Sequence, residues 1–255
     1  MPDDVRMGSR SRKKKTSWWQ HSWGGATIWG WAFIAASTLS VIAVIVFAAH
    51  RPIPHSTESH APQTAPAEEA NRTIAFLGDS YTAGAGAAPR QGYPERTALA
   101  DLGCYTVRGF GSGGTGYTNP GPQGAGTFKQ RVGQVIAARP GVVVVQGSTN
   151  DRDPAATGAA ADAVFTELAA GLPDAVIVAV GPAPALKHNP DEFITVSAAI
   201  QAAAERNGVR FIDPTGWLSA ADYTSDQVHP NDAGHLKYGT TLRKALLITS
   251  GIEEC

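Results

Sequence analysis

Cysteine is scarce in this chain, and so is net charge. Two cysteines among 255 residues are too few for a disulfide-built scaffold or a cysteine-ligated zinc site. Twenty-one basic residues against 22 acidic ones leave a formal charge of −1, which gives no support to nucleic-acid binding by the whole chain. The 28 glycines and 17 prolines follow no G-X-Y period, so a collagen-like helix is excluded. A hydrophobic content of 43% with 17% charged residues excludes a disordered acidic or basic tail protein. It leaves apolar material for one substantial core or two small ones.

The near-neutral total conceals an uneven distribution. Residues 1–23 hold Arg6, Arg10, Arg12, Lys13, Lys14 and Lys15 against Asp3 and Asp4, so this segment is positive by four and the rest of the chain negative by five. From Gly24 to Ala49 there is no ionisable side chain, and the stretch is apolar on every face. Its 26 residues exceed the roughly 20 that a helix needs to cross hydrocarbon. Trp18, Trp19, Trp23, Trp29 and Trp31 cluster toward the basic end, where an aromatic interface belt belongs. The expectation is a basic cytoplasmic N-terminus at 1–23 and an uncleaved transmembrane signal anchor at 24–49, with everything after Ala49 extracytoplasmic. The alternative is a cleaved signal peptide and a secreted domain; Val46-Phe47-Ala48 offers a cleavage site, but the apolar region is longer than the usual 7 to 15 or so residues. Residues 50–71 carry Pro52, Pro54, Pro62 and Pro66 among Ser, Thr, Ala and Glu and read as an extended flexible linker. His50, His55 and His60 recur there at a five-residue spacing, but a linker fixes no coordination geometry and no metal site is expected.

From Thr73 onward, apolar runs of strand length alternate with helical patterns. The strand candidates are Thr73 to Leu77, Tyr105 to Arg108, Val142 to Gln146, Ala175 to Val180 and Val209 to Ile212. The helix candidates are Tyr93 to Leu102, Thr127 to Ala138, Ala155 to Ala170, Glu192 to Asn207 and Asp232 to Leu247. Most of the strands are continuous or β-branched apolar runs, as strands buried on both faces require. The alternation predicts a five-stranded parallel sheet between layers of helices, a three-layer α/β/α sandwich. Such sheets bind ligands beyond the carboxyl ends of their strands, and the polar clusters fall at that edge: Gly78-Asp79-Ser80, Gly109 to Gly116, Gly147 to Asp151, and Asp226 to Pro230.

Acyl transfer to water needs a nucleophile, a base, a group that orients the base, and donors for the oxyanion. Ser80 is placed as nucleophile on a strand-to-helix turn. His229 is the natural base, with Pro230 suited to the first turn of the last helix. Asp226, three residues earlier, can reach the Nδ1 side of that imidazole. Asn150 offers an amide donor, and a glycine of the 109–116 loop a backbone N–H. Asp79 is expected to shape the nucleophile turn, His235 to be structural, and His188 either to line the substrate cleft or to face solvent. The run Gly109 to Gly114 also spells G-x-G-x-x-G, a dinucleotide fingerprint. That fingerprint opens a helix and is followed by an acidic residue about 20 positions on; here Pro120 and Pro122 intervene, and no Asp or Glu stands between Asp101 and Asp151.

These residues resemble the SGNH, or GDSL, hydrolases. The first block of that family matches Gly78-Asp79-Ser80, the third Asn150-Asp151, and the terminal D-x-x-H block Asp226 to His229 with the usual Pro230. Aligning its V-x-N-x-G-x-x-G block on Val107 puts the inner glycine at Gly111 and the oxyanion glycine at Gly114. Gly109 stands where the family has Asn, and Gly147 lies one place earlier than in the family's G-x-N-D. The resemblance covers residues 73 to about 248. It implies a flavodoxin-like SGNH hydrolase domain over 72–255. The implied enzyme is a carboxylester hydrolase that uses Ser80, His229 and Asp226, with the amides of Ser80 and Gly114 and the side chain of Asn150 as oxyanion hole. No metal or organic cofactor is implied. The substrate is an ester-bearing small molecule, a lipid or an acylated glycan. An acyltransferase using the same acyl-serine and a non-catalytic glycan-binding domain are the alternatives. Cys104 and Cys255 either pair, which at a loop of about 150 residues would add up to roughly 5 kcal/mol, or remain as two thiols.

Overall fold

The computed structural model describes residues 72–97, 102–250 and 252, together with the backbone of two short strands near the N-terminus. The chain divides into two compact units, residues 1–62 and 63–255. In the first, Ser22–Trp23 pairs antiparallel with Ala26–Thr27, Trp23 opposite Ala26. The rest of the basic segment, of the anchor expected at 24–49 and of the linker at 50–71 lies outside the described residues. Among the described residues no helix is long and apolar enough to cross a membrane.

The second unit is built on five strands: β1 (Thr73–Gly78), β2 (Thr106–Gly111), β3 (Val142–Gln146), β4 (Val176–Val180) and β5 (Arg210–Ile212). They lie side by side in the order β2-β1-β3-β4-β5, each pairing parallel with its neighbour. The helices are α1 (Tyr93–Thr97), α2 (Phe128–Ala137), α3 (Pro154–Gly171), α4 (Pro190–Arg206) and α5 (Asp232–Ser250). Every residue of β1 and β3 is buried, which is why TIAFLG and VVVVQ show no polar alternation. Which layer each side chain meets still follows a period of two. Ala75, Leu77, Val143 and Val145 cluster with Phe128, Val132, Phe165, Leu168 and Ile200 of α2, α3 and α4. Ile74, Phe76, Val142 and Val144 join Tyr93 of α1 and Tyr238, Leu242 and Leu246 of α5 on the other face.

Three helices start where their sequences cap them. The Thr127 hydroxyl accepts from the Gln130 amide while the Gln130 side chain accepts from the Thr127 amide, a reciprocal box at the head of α2. Asp153 accepts from the amides of Ala155 and Ala156 at 2.9 and 3.1 Å, and Asn189 from that of Asp191 at 3.1 Å. Pro154 and Pro190 follow in the first turns, where no amide donor is lost.

Several boundaries differ from the sequence reading by a few residues, and the first of these bears on the site. β2 continues past Arg108 through Gly109-Phe110-Gly111, because these residues pair in register with Phe76, Leu77 and Gly78 of β1. Local propensity reads a glycine-rich run as loop, and the neighbouring strand overrides it. α1 is described as far as Thr97; residues 98–101 lie outside the described residues, and Leu102, the expected last residue of this helix, stands buried in a turn instead. Cys104 stands in the turn before β2 and is not a free thiol; Cys255 lies outside the described residues.

The strand order places the switch point between β1 and β3. The chain leaves β1 toward one side to form β2 and comes back on the other side to form β3. The crevice beyond the carboxyl ends of those two strands is the ligand site of open parallel sheets, and Ser80 follows β1 directly.

Candidate active site

The nucleophile turn folds back over the end of β1. A Cβ on Gly78 would stand 2.0 Å from Thr82 Oγ1 and 2.9 Å from the Gln146 carbonyl, so only glycine permits this close return. The Ala83 and Ala85 amides donate to the carbonyls of Asp79 and Ser80 at 3.0 and 2.9 Å, closing the turn. Asp79 is fully buried. Its carboxylate accepts from the Tyr81 amide at 2.9 Å and the Thr149 amide at 3.1 Å, tying the turn to the end of β3. It therefore shapes the turn, as the sequence reading expected.

Burial pushes the Asp79 carboxyl up from 3.8 to about 6, against the pull of the Tyr81 and Thr149 amides. A carboxyl raised in the folded state contributes stability below the unfolded value, near pH 4. That contribution is lost as pH rises through about 6. The shift corresponds to about 3 kcal/mol. Asp79→Asn keeps an acceptor and cannot ionise, so its stability relative to the parent should rise by about 2–3 kcal/mol between pH 4 and 7.5. Denaturant unfolding of both proteins at the two pH values measures this; a constant difference would refute it.

The base and its partner come from one loop ahead of α5. His229 Nε2 lies 3.0 Å from Ser80 Oγ, and His229 Nδ1 lies 2.7 Å from Asp226 Oδ2. The other Asp226 oxygen accepts from the Thr224 hydroxyl at 2.7 Å and from the amides of Val228 and His229 at 2.8 and 2.9 Å. Partial burial works against ionisation of this carboxyl. The four donors outweigh it and hold the carboxyl well below the usual carboxylate range. Asp226 is thus an anion at neutral pH, as a group that orients an imidazole through Nδ1–H must be. Gln227 adopts φ 59°, a left-handed turn that lets Asp226 and His229 meet across two residues. The Gln227 amide donates to the Thr224 carbonyl, and its own carbonyl accepts from Lys187, each at 3.1 Å. Beneath the imidazole, the Tyr81 hydroxyl donates to the Val228 carbonyl at 2.6 Å, anchoring this loop to the nucleophile turn.

The expected oxyanion donors lie on three segments that are bonded to one another. The amides of Ser80 and Gly114 make no bond to another described residue, so both are available to a ligand. The Asn150 side-chain amide donates to the Thr115 carbonyl at 2.8 Å, which uses one of its two hydrogens. The 112–116 segment starts against the nucleophile turn. The Ser112 amide donates to the Gly78 carbonyl at 3.2 Å, and a Cβ on Gly111 would stand 2.3 Å from the Ala83 nitrogen. The serine that separates Gly147 from the family position has a use. Ser148 Oγ donates to the Thr115 carbonyl at 3.1 Å and accepts from the Asn150 amide at 2.8 Å.

Other polar residues bear on the site indirectly. Asp151 is buried and organises the segment after Gly116, accepting from the amides of Tyr117, Thr118 and Asn119 and from the Thr118 hydroxyl. His235, fully buried, accepts from the Tyr93 amide at Nδ1 and donates from Nε2 to the Ala85 carbonyl. Burial lowers its proton affinity, and its role is structural. His188 lies 3.3 Å from the Arg152 guanidinium, and burial together with that cation lowers its proton affinity. Tyr81, Thr115 and Arg131 escaped the sequence reading because their contacts are made by loops far apart in the chain; only the tyrosine's adjacency to Ser80 hinted at a role.

A five-stranded parallel sheet with helices on both faces, carrying serine, imidazole and carboxylate in hydrogen-bonded series at its carboxyl edge, has the architecture of an α/β serine hydrolase. Residues 76–237 match the GDSL-like lipase/acylhydrolase family. The chain belongs to that family and is an SGNH-type carboxylester hydrolase. A GDSL lipase of Mycobacterium tuberculosis is 28% identical over 176 residues, covering 64% of this chain and 76% of the relative. Among solved structures, a carbohydrate acetylesterase from Sinorhizobium meliloti superposes with a TM-score of 0.60 at 16% identity, over 69% of this chain and 99% of that one. A family two carbohydrate esterase from Clostridium thermocellum, with cellohexaose bound, gives 0.57 at 20% identity over 71% and 65%. These structural likenesses establish the shared fold.

Proposed function

We propose that the protein removes small acyl groups, acetyl foremost, from hydroxyls of a carbohydrate. The observation that carries the chemistry is the unbroken series from Ser80 Oγ through the imidazole of His229 to Asp226, at 3.0 and 2.7 Å. Ser80 Oγ attacks the ester carbonyl as His229 Nε2 takes its proton, and the Asp226 carboxylate balances the imidazolium. The amides of Ser80 and Gly114 and the free hydrogen of Asn150 Nδ2 receive the oxyanion. The proton passes from His229 to the departing sugar oxygen, leaving an acyl-Ser80. A water molecule deprotonated by His229 then releases the acid.

Two facts support a sugar as the alcohol. The structural neighbours include a carbohydrate acetylesterase and a family two carbohydrate esterase. In addition, 27% of the His229 side chain and 47% of that of Asp226 are exposed, so a bulky hydrophilic alcohol can leave directly into solvent. The anchor expected from residues 24–49 would hold this site on the outer face of a membrane, and Cys104 would pair with Cys255 in that oxidising setting. A fluorophosphonate should label Ser80 stoichiometrically. p-Nitrophenyl esters should be cleaved with kcat/KM falling as the acyl chain lengthens from acetate to decanoate, and acetylated xylan or cello-oligosaccharide should release acetate. Labelling at Ser80 with a preference for long chains would replace the carbohydrate with a lipid substrate; failure of Ser80 to label would remove the hydrolase mechanism.

A further inference from the structure

A buried cation lies under the site with no carboxylate in contact. Arg131 of α2 is 6% exposed. Its guanidinium donates to the carbonyl of Phe110, to that of Gly78 at 3.0 Å and to Thr115 Oγ1 at 2.7 Å. Its Cζ stands 5.3 Å from the centre of the Phe128 ring. All three acceptors are neutral, and the buried carboxylate of Asp79 assists only through space. Burying a charge without an ion pair is costly, and an apolar side chain of similar volume would serve the core at least as well. The contacts Arg131 makes are therefore where its use is to be sought.

Each acceptor belongs to a segment that carries an oxyanion donor. Gly78 is two residues before Ser80, whose amide is one donor. Phe110 is the penultimate residue of β2, the strand that runs into the Gly114 segment. Thr115 adjoins Gly114 and passes the constraint on: its hydroxyl donates to the Ser112 carbonyl at 2.7 Å, and its carbonyl accepts from Asn150 Nδ2 at 2.8 Å and from Ser148 Oγ at 3.1 Å. The planar guanidinium fork can hold two directions at once, which a lysine ammonium on a flexible stem does poorly. We propose that Arg131 and Thr115 are positioning residues that set the Ser80 amide, the Gly114 amide and the Asn150 side chain at fixed mutual distances for the tetrahedral oxyanion. The inference rests on the hydrolase reading above. Neither residue touches substrate. Misplacing a donor weakens transition-state binding and leaves ground-state binding nearly unchanged.

The test is steady-state kinetics on p-nitrophenyl acetate with Thr115→Val, Thr115→Ser, Arg131→Lys and Ser80→Ala, each checked for its circular dichroism and melting temperature. Thr115→Val is isosteric and should lower kcat by about 10- to 100-fold with KM within about twofold, since loss of a single oxyanion donor costs roughly 10²- to 10³-fold and misalignment less. Thr115→Ser keeps the hydroxyl and should recover most of that loss. Arg131→Lys keeps the charge and should resemble Thr115→Val. Combining Arg131→Lys with Thr115→Val should cost little beyond the larger single effect, because both act through one chain of bonds. Wild-type kcat in folded Thr115→Val, a loss confined to KM, or a Thr115→Ser no better than the valine variant would overturn the proposal while Ser80→Ala stayed inactive. If Thr115→Val does not fold, the same criteria apply to Arg131→Lys against wild type. Turnover surviving in Ser80→Ala would instead overturn the hydrolase reading itself.

Discussion

Ser80→Ala is expected to reduce kcat on p-nitrophenyl acetate by at least about 10⁴-fold, as loss of a nucleophile does in serine hydrolases generally. The melting temperature should hold within a degree or two. The size follows from the arrangement: Ser80 Oγ is the hydroxyl within 3.0 Å of His229 Nε2, and alanine leaves the imidazole with no atom to activate. The fold should tolerate the change because the turn is closed by the backbone bonds of Asp79 and Ser80 with Ala83 and Ala85, and by the Asp79 carboxylate. None of these involves the serine hydroxyl. A residual rate should remain from the oxyanion donors and substrate binding. Rates within tenfold of the parent would mean that another group attacks the ester.

The second large effect is at Asp226. In Asp226→Asn one amide atom can keep the oxygen that accepts from Thr224, Val228 and His229. The other position, 2.7 Å from His229 Nδ1, is then an NH₂ donor. The imidazole must respond by accepting at Nδ1 and carrying its proton on Nε2, where it faces Ser80 Oγ and cannot take a proton from it. The expected loss in kcat is about 10³- to 10⁴-fold, with KM little changed and the far-ultraviolet spectrum retained. The lower end allows for the exposure of this carboxyl, since water can partly stand in at its site. Stopped-flow burst kinetics would locate the loss in acylation. A variant that acylated at the parental rate would show that Asp226 holds the loop and nothing more.

Much of this site could be read from one dimension because each part is a short local signal at a strand end. Gly78-Asp79-Ser80 follows an apolar run, and Asp226 to Pro230 precedes a helix; both patterns survive folding because they depend on neighbours two or three residues away. The end of β2 was misplaced for the opposite reason. Gly109-Phe110-Gly111 has poor strand propensity, and it is a strand because β1 lies beside it in register. The departures from the family pattern proved informative as well. Ser148, which displaces the glycine of the third block, spends its hydroxyl on Thr115 and Asn150.

What sequence alone decides here is the alternation of elements, the residue types that end each strand, and the contrast between an uncharged, basic-flanked N-terminal stretch and a mildly acidic remainder. These depend on periodicity and composition, which are properties of near neighbours. What tertiary structure decides is which ends meet. Nothing in the chain announces that Arg131, near the start of an amphipathic helix, has its guanidinium on Gly78 and Thr115, or that the hydroxyl of Tyr81 reaches Val228. Nor does it announce that Gln227 turns left-handed to set Asp226 on His229. Those contacts join residues up to 147 apart in sequence. They exist because a parallel sheet gathers the carboxyl ends of all its strands along one edge, whatever the length of chain between them.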